Sequence, residues 1–241
     1  MNINFEGKNC FISGASGGLG QEIAKELANQ KCNLFLTGRN EKKLIELKEH
    51  IKNSINHTLE IQYQEGDLNN LEDLKKIIFS AKKSFKVFDI LVNSAGIFLS
   101  KSIQNSSLEE FEKIFNVNIR APFIFCKEFS EEMLKNKWGR IVNIGSSSSY
   151  SGFKNGSIYC ASKHAILGLS KTLQNELKSE NVRTFCISPG SIKTEMGKMT
   201  KEQNFETFLD PKEIAKYVIF VISFDKDLIS EEIRLNRMNI E

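Results

Sequence analysis

The sequence lacks the marks of an exported, membrane-spanning or metal-stapled protein. Its five cysteines, Cys10, Cys32, Cys126, Cys160 and Cys186, lie far apart with no Cys-x-x-Cys among them. The three histidines, His50, His57 and His164, make no zinc-type cluster. This usage points to a reducing compartment and to no structural metal. The start, Met1 to Lys8, has no signal-peptide pattern. The longest strongly apolar run, Tyr217 to Ile222, is far too short to cross a bilayer. A cytoplasmic location with no membrane partner is the expectation. Charge of one sign is also missing, since 33 Lys and Arg face 30 Asp and Glu for a net +3. The basic residues come as scattered pairs, Lys42-Lys43, Lys75-Lys76 and Lys82-Lys83, which read as solvated helix faces. No nucleic-acid partner is therefore expected. There is no Pro-rich linker, repeat or charge-block tail, so residues 1–241 are read as one domain.

What the chain does have is a rhythm. Short apolar runs at Cys10–Ile12, Cys32–Thr37, Leu59–Gln64, Phe88–Asn93, Arg140–Ile144, Arg183–Ile187 and Ile233–Leu235 read as strands. Helical patterns fall between them near 19–30, 40–55, 70–84, 107–136, 157–179 and 211–223. This alternation predicts an α/β, doubly wound Rossmann-type domain. Its mainly parallel sheet would have seven strands, with helices on both faces. Ligands bind such sheets beyond the carboxyl ends of the strands. The Ser/Gly-rich stretch from Gly145 to Gly156 follows the fifth strand and falls in that zone.

After the first strand comes Ser13-Gly14-Ala15-Ser16-Gly17-Gly18-Leu19-Gly20, and then a helix. Glycine lets backbone approach a pyrophosphate closely, and the helix N-terminus offers free N–H groups to it. The spacing is G-x-x-x-G-x-G, and no Gly-Lys-Ser/Thr follows, so this is not a Walker loop. The second strand ends Thr37-Gly38-Arg39. An acid there would accept the ribose hydroxyls of NAD, whereas arginine receives the 2′-phosphate of NADP. Arg39 thus favours NADP, with NAD the alternative.

A carbonyl reductase needs a proton donor beside the carbonyl oxygen. Tyrosine serves if a fixed cation brings its pKa of ~10 toward neutrality. Residues four apart share one helix face, so Tyr-x-x-x-Lys would place an ammonium near the phenol. Two such pairs occur, Tyr150/Lys154 and Tyr159/Lys163. The first runs through Ser151-Gly152-Phe153, which is loop chemistry. The second is helix-compatible, so Tyr159 is the expected acid/base.

Over roughly residues 5 to 224 the chain resembles a classical short-chain dehydrogenase/reductase, and most closely the 3-oxoacyl-carrier-protein reductases. Gly14, Gly18 and Gly20, flanked by Ser16 and Leu19, fit the family's glycine turn. Asp67-Leu68 fits the pair that contacts adenine, although Asp67 could equally cap the next helix. Asn93-Ser94-Ala95-Gly96 resembles Asn-Asn-Ala-Gly, departing at Ser94, and implies that Asn93, Ala95 and Gly96 support the sheet and the cofactor ribose. Ser146 precedes Tyr159 by the family's thirteen residues, with Ser147 and Ser148 as alternative registers. The resemblance implies that Ser146 bonds the substrate oxygen and that Lys163 also binds the nicotinamide ribose. It implies that Asn118 holds a relay water, with Asn116 its rival. Pro189-Gly190 followed by Ile192 and Thr194 would hold the nicotinamide carboxamide. It also implies a homo-oligomer, a tetramer or dimer through 107–136 and 157–179. In those reductases basic residues dock the acidic carrier, and the matching positions here are Lys137 and Asn175. Two departures stand out. The lid between Thr194 and Asp210 is short, and the last strand lacks Asp-Gly-Gly. The expected activity is NADP(H)-dependent hydride transfer to a small carbonyl or from its alcohol. A dinucleotide-binding sensor or scaffold without turnover is the alternative.

Overall fold

A computed structural model describes residues 4–55, 58–200 and 203–238. Its centre is one parallel sheet of seven strands: β1 (Asn9–Ser13), β2 (Asn33–Gly38), β3 (Ile61–Glu65), β4 (Ile90–Asn93), β5 (Gly139–Ile144), β6 (Val182–Pro189) and β7 (Glu232–Leu235). The spatial order is β3-β2-β1-β4-β5-β6-β7, and every pair is parallel. The order reverses beside β1, which opens the crevice where a doubly wound sheet binds its ligand.

Alternation along the strands divides the core between two faces. Cys10 and Ile12 pack on one side and Phe11 on the other, as Leu34 and Leu36 do opposite Phe35. The first face is covered by α1 (Gly18–Asn29), α2 (Glu41–Ser54) and α7 (Pro211–Ile222). On the second, Phe11 meets Phe125 and Phe129 at centroid distances of 4.8 and 4.7 Å, and Phe88 lies 4.9 Å from Phe129. This aromatic layer seats α3 (Leu71–Ser84) and α5 (Ala121–Lys135). The five cysteines are buried free thiols. Burial pushes the thiols of Cys32 and Cys126 up to about 12. Among the described residues no helix is long and apolar enough to cross a membrane.

The stretch expected as one helix over 107–136 is three pieces. They are α4 (Leu108–Phe115), a π turn (Asn116–Arg120) and α5. Pro122 supplies the reason. It has no N–H to meet the Asn118 carbonyl four residues earlier, and its ring would crowd that carbonyl. The ladder widens instead, and the Ala121 N–H donates to the Asn116 carbonyl. Such single widened turns recur at functional sites, and this one carries Asn118. The long helix α6 (Ser157–Leu177) follows the expected 157–179 within two residues.

Arg140 on β5 is fully buried. It donates to the carbonyls of Gly139, Asn181, Ile222 and Phe224, pairs with Asp225, and lies 4.4 Å from the Trp138 ring. One side chain therefore holds the turn that sends the chain from α7 into β7. Arg140→Leu strands those carbonyls and is expected to lower the unfolding free energy by about 3 kcal/mol. Urea denaturation checks this, and an unchanged midpoint would remove the role.

Candidate active site

A cleft of about 940 Å³ runs along the carboxyl ends of the strands. One end lies between β1 and β2. Gly14 has φ +71°, and a Cβ there would stand 2.6 Å from the Ala95 nitrogen, so only glycine fits. The turn is closed by the Gly17 N–H donating to the Gly14 carbonyl at 2.9 Å. No side chain caps α1, which leaves its first N–H groups facing the cleft as an anion-binding end. Ser16, Gly18, Leu19 and Gly20 line this end, with Asp67, Leu68, Ala95 and Gly96 further along. Asp67 does not cap α3, because Asn70 does so by accepting from the Glu72 and Asp73 N–H groups.

Arg39 and Lys43 both line the rim. Sequence reasoning missed Lys43. The signal was its spacing, four residues beyond Arg39 in the first turn of α2. A Cβ on Gly38 would stand 2.4 Å from Ser16 Oγ, a hydroxyl that can turn aside by rotation about χ1.

The other end is built from the carboxyl end of β5 and the start of α6. Ser146 opens a 3-10 turn. Its Oγ accepts from the Ser148 N–H and its own N–H donates to Ser149 Oγ, both at 3.1 Å. Among the serines of this run it is Ser146 that lies close enough to the Tyr159 phenol to favour its ionised form. Lys163, one turn after Tyr159 on α6, is buried and donates to the Ile144 carbonyl at 2.9 Å. Its ammonium lies 5.8 Å from the centre of the Tyr159 ring.

The expected effect of that lysine on the phenol is not met. Burial outweighs the influence of Ser146 and pushes Tyr159 up to about 12. Burial also brings Lys163 down to about 8. The phenol is thus a neutral donor at ordinary pH, and the ammonium is charged only below about 8.

Asn118 is buried behind Gly96. It accepts from the Ile97 N–H at 2.9 Å and donates to the Ile97 carbonyl and to Ser162 Oγ. Both amide hydrogens are therefore committed to fixing the 96–97 segment against α6. Its rival Asn116 points elsewhere and bonds Asn69 at 3.0 Å. Asn93 does not line the cleft. Its side chain is buried between strands and donates to Asn143 Oδ1 at 2.8 Å. Tyr150 and Lys154 share no helix. Tyr150 ends the serine turn with Arg234 stacked 3.4 Å from its ring centre, and burial raises its phenol. His164 bonds the Cys160 carbonyl on an exposed side of α6.

Pro189, Gly190, Ile192 and Thr194 line the cleft beyond β6. The short lid starts there, and Leu209 ties its base by bonding Ser191 and Lys193 backbone at 2.9 Å each. In place of Asp-Gly-Gly, Arg237 reaches back to Thr207 Oγ1 at 3.0 Å and stacks on Phe208.

The family model for short chain dehydrogenases matches residues 8–204. The chain belongs to the short-chain dehydrogenases. This dehydrogenase is 33% identical over 230 residues to a 3-oxoacyl-acyl-carrier-protein reductase of Rickettsia felis, covering 92% of this chain and 91% of the relative. It is 33% identical over 220 residues to an uncharacterized oxidoreductase of Staphylococcus saprophyticus, covering 91% and 93%. Its structure is similar to that of an alcohol dehydrogenase from Thermococcus sibiricus complexed with 5-hydroxy-NADP. The TM-score is 0.87 at 27% identity, over 97% of each chain. The dehydrogenase is thus an oxidoreductase of carbonyl and alcohol groups on a Rossmann fold.

Gly38→Asp tests the charge of the rim. A carboxylate there would repel a 2′-phosphate, so NADPH binding is expected to weaken about tenfold or more relative to NADH binding. An unchanged ratio of the two affinities, measured by calorimetry, would contradict this.

Proposed function

We propose that the chain reduces a carbonyl to an alcohol with NADPH, and runs the reverse with NADP, using Tyr159 as the acid/base. The observation that carries this reading is that Ser146 and Tyr159 line the same end of the cleft, with the Lys163 ammonium buried one helical turn from Tyr159. A carbonyl oxygen placed between those two hydroxyls accepts a hydrogen bond from each. Preorganised donors of this kind favour the charge that develops on oxygen during reduction. The dinucleotide supplies the hydride when bound.

The Tyr159 phenol, protonated at neutral pH, holds the proton that the oxygen takes up. The phenolate left behind is stabilised by the neighbouring ammonium of Lys163. A water at Asn118 would return the proton by way of Lys163. The glycine turn fits a pyrophosphate, because a Cβ at Gly14 would fill the approach. Arg39, with Lys43 beside it, would take the 2′-phosphate, and Asp67-Leu68 the adenine. Ala95 and Gly96 would border the ribose, and the 189–194 segment the carboxamide.

Self-association through α4, α5 and α6 belongs to the same reading and is supported by exposed Phe111 and Phe123 on those helices. Acyl-carrier docking has thinner support. Lys137 is exposed but 3.9 Å from Glu180, and Asn175 accepts from Lys178.

Tyr159→Phe keeps the ring and removes the proton. NADPH-dependent reduction is expected to fall about a thousandfold, with NADPH binding within about twofold because the ring and Lys163 remain. Ser146→Ala should fall about a hundredfold, whereas Ser147→Ala, on an exposed position, should not. Full activity in Tyr159→Phe would overturn the assignment. NADPH binding with no turnover of any carbonyl would favour the sensor reading.

A further inference from the structure

The wall nearest the phenol is apolar and aromatic. Phe98, two residues past Gly96, meets the Tyr159 ring edge-on at 4.9 Å. Phe153 stacks on Phe98, with centroids 6.1 Å apart and planes 18° from parallel. Phe153 is 42% exposed, and that face opens into the cleft. The ring is seated deliberately, since a Cβ on Gly156 would lie 2.6 Å from it. From the lid, Met196 and Met199 line the same cleft and are also exposed. Thioethers adapt their shape and make favourable contacts with aromatic rings.

Some of the polar groups nearby are occupied with one another. Ser191 donates to Gln203 at 2.7 Å, and Lys198 pairs with Glu195 at 2.6 Å. A polyhydroxylated substrate would lose its water against this apolar wall. A flat apolar group would stack on the rings and release water.

We infer that the substrate is a carbonyl compound bearing a planar apolar substituent, aryl or of similar shape, held by Phe98 and Phe153 beside Tyr159 and covered by Met196 and Met199. This rests on Tyr159 being the proton donor. Phe98 and Phe153 then set specificity, because the group they hold fixes which face of the carbonyl meets the hydride.

The test uses the full chain with NADPH and three ketones: phenyl methyl ketone, butanone and a ketohexose. The kcat/KM for phenyl methyl ketone should exceed that for butanone about tenfold and that for the ketohexose about a hundredfold or more. Phe153→Ser should remove most of the preference over butanone by raising KM, and Met199→Gln should do so in part. Ketohexose turnover equal to that of the aryl ketone would overturn the inference, as would a preference that survives Phe153→Ser. Binding of benzamide, an inert aromatic probe, to the NADPH complex separates the two readings. If no ketone is turned over but benzamide binds and is lost in Phe153→Ser, the apolar subsite stands and the proton-donor reading fails. If neither ketone turnover nor benzamide binding occurs, both fail.

Discussion

The ammonium of Lys163, buried against one main-chain carbonyl, is the constraint around which the site is organised. Removing a charge from water is costly unless it is bonded and paired. Here the Ile144 carbonyl at the end of β5 is its hydrogen-bond partner. That bond fixes α6 against the sheet at the point where the strand ends. It also sets where Tyr159, four residues earlier, must stand. Burial then acts on both groups in opposite senses, making the phenol hard to ionise and the ammonium easier to neutralise. A neutral acid beside a cation is the arrangement that the proposed carbonyl reduction uses.

The surroundings hold this arrangement rigid. The serine turn fixes Ser146 with its own backbone and Ser149. Its last residue, Tyr150, is clamped by Arg234 from β7, and β7 is anchored further by Glu232 pairing with Lys171 of α6 at 2.6 Å. The π turn delivers Asn118 to the back of the 96–97 segment. The short lid is tied by Leu209 at its base and by Arg237 from the chain end. Arg234 and Arg237 therefore hold the serine turn and the base of the lid.

Much of this was legible in the sequence. The strands and helices follow from two simple periods, and the third expected strand, Leu59–Gln64, is shifted to Ile61–Glu65, the residues in register with Leu34–Gly38 of β2. Gly14 was readable because a left-handed turn tolerates little else. That Tyr159 and Lys163 share one helix while Tyr150 and Lys154 do not was readable because the second pair crosses Gly152. Other features leave no local trace. One widened turn does not disturb the apolar pattern over 107–136, so the break at Asn116–Arg120 was invisible except through Pro122. The burial of Asn93 depends on Asn143, fifty positions away in the chain. The direction of the Tyr159 shift depends on how deeply the ring is buried, which spacing does not report. The pairing of Phe98 with Phe153 joins two loops, and only the sheet order brings them together.

The most direct test of this account is the titration of Lys163 itself. Lysine labelled with ¹³C at Cε reports its charge by NMR, and comparison with Lys163→Arg identifies the signal. The account predicts a midpoint of about 8. A midpoint near the ordinary lysine value of about 10.4 would mean that the ammonium is not buried, and would contradict it.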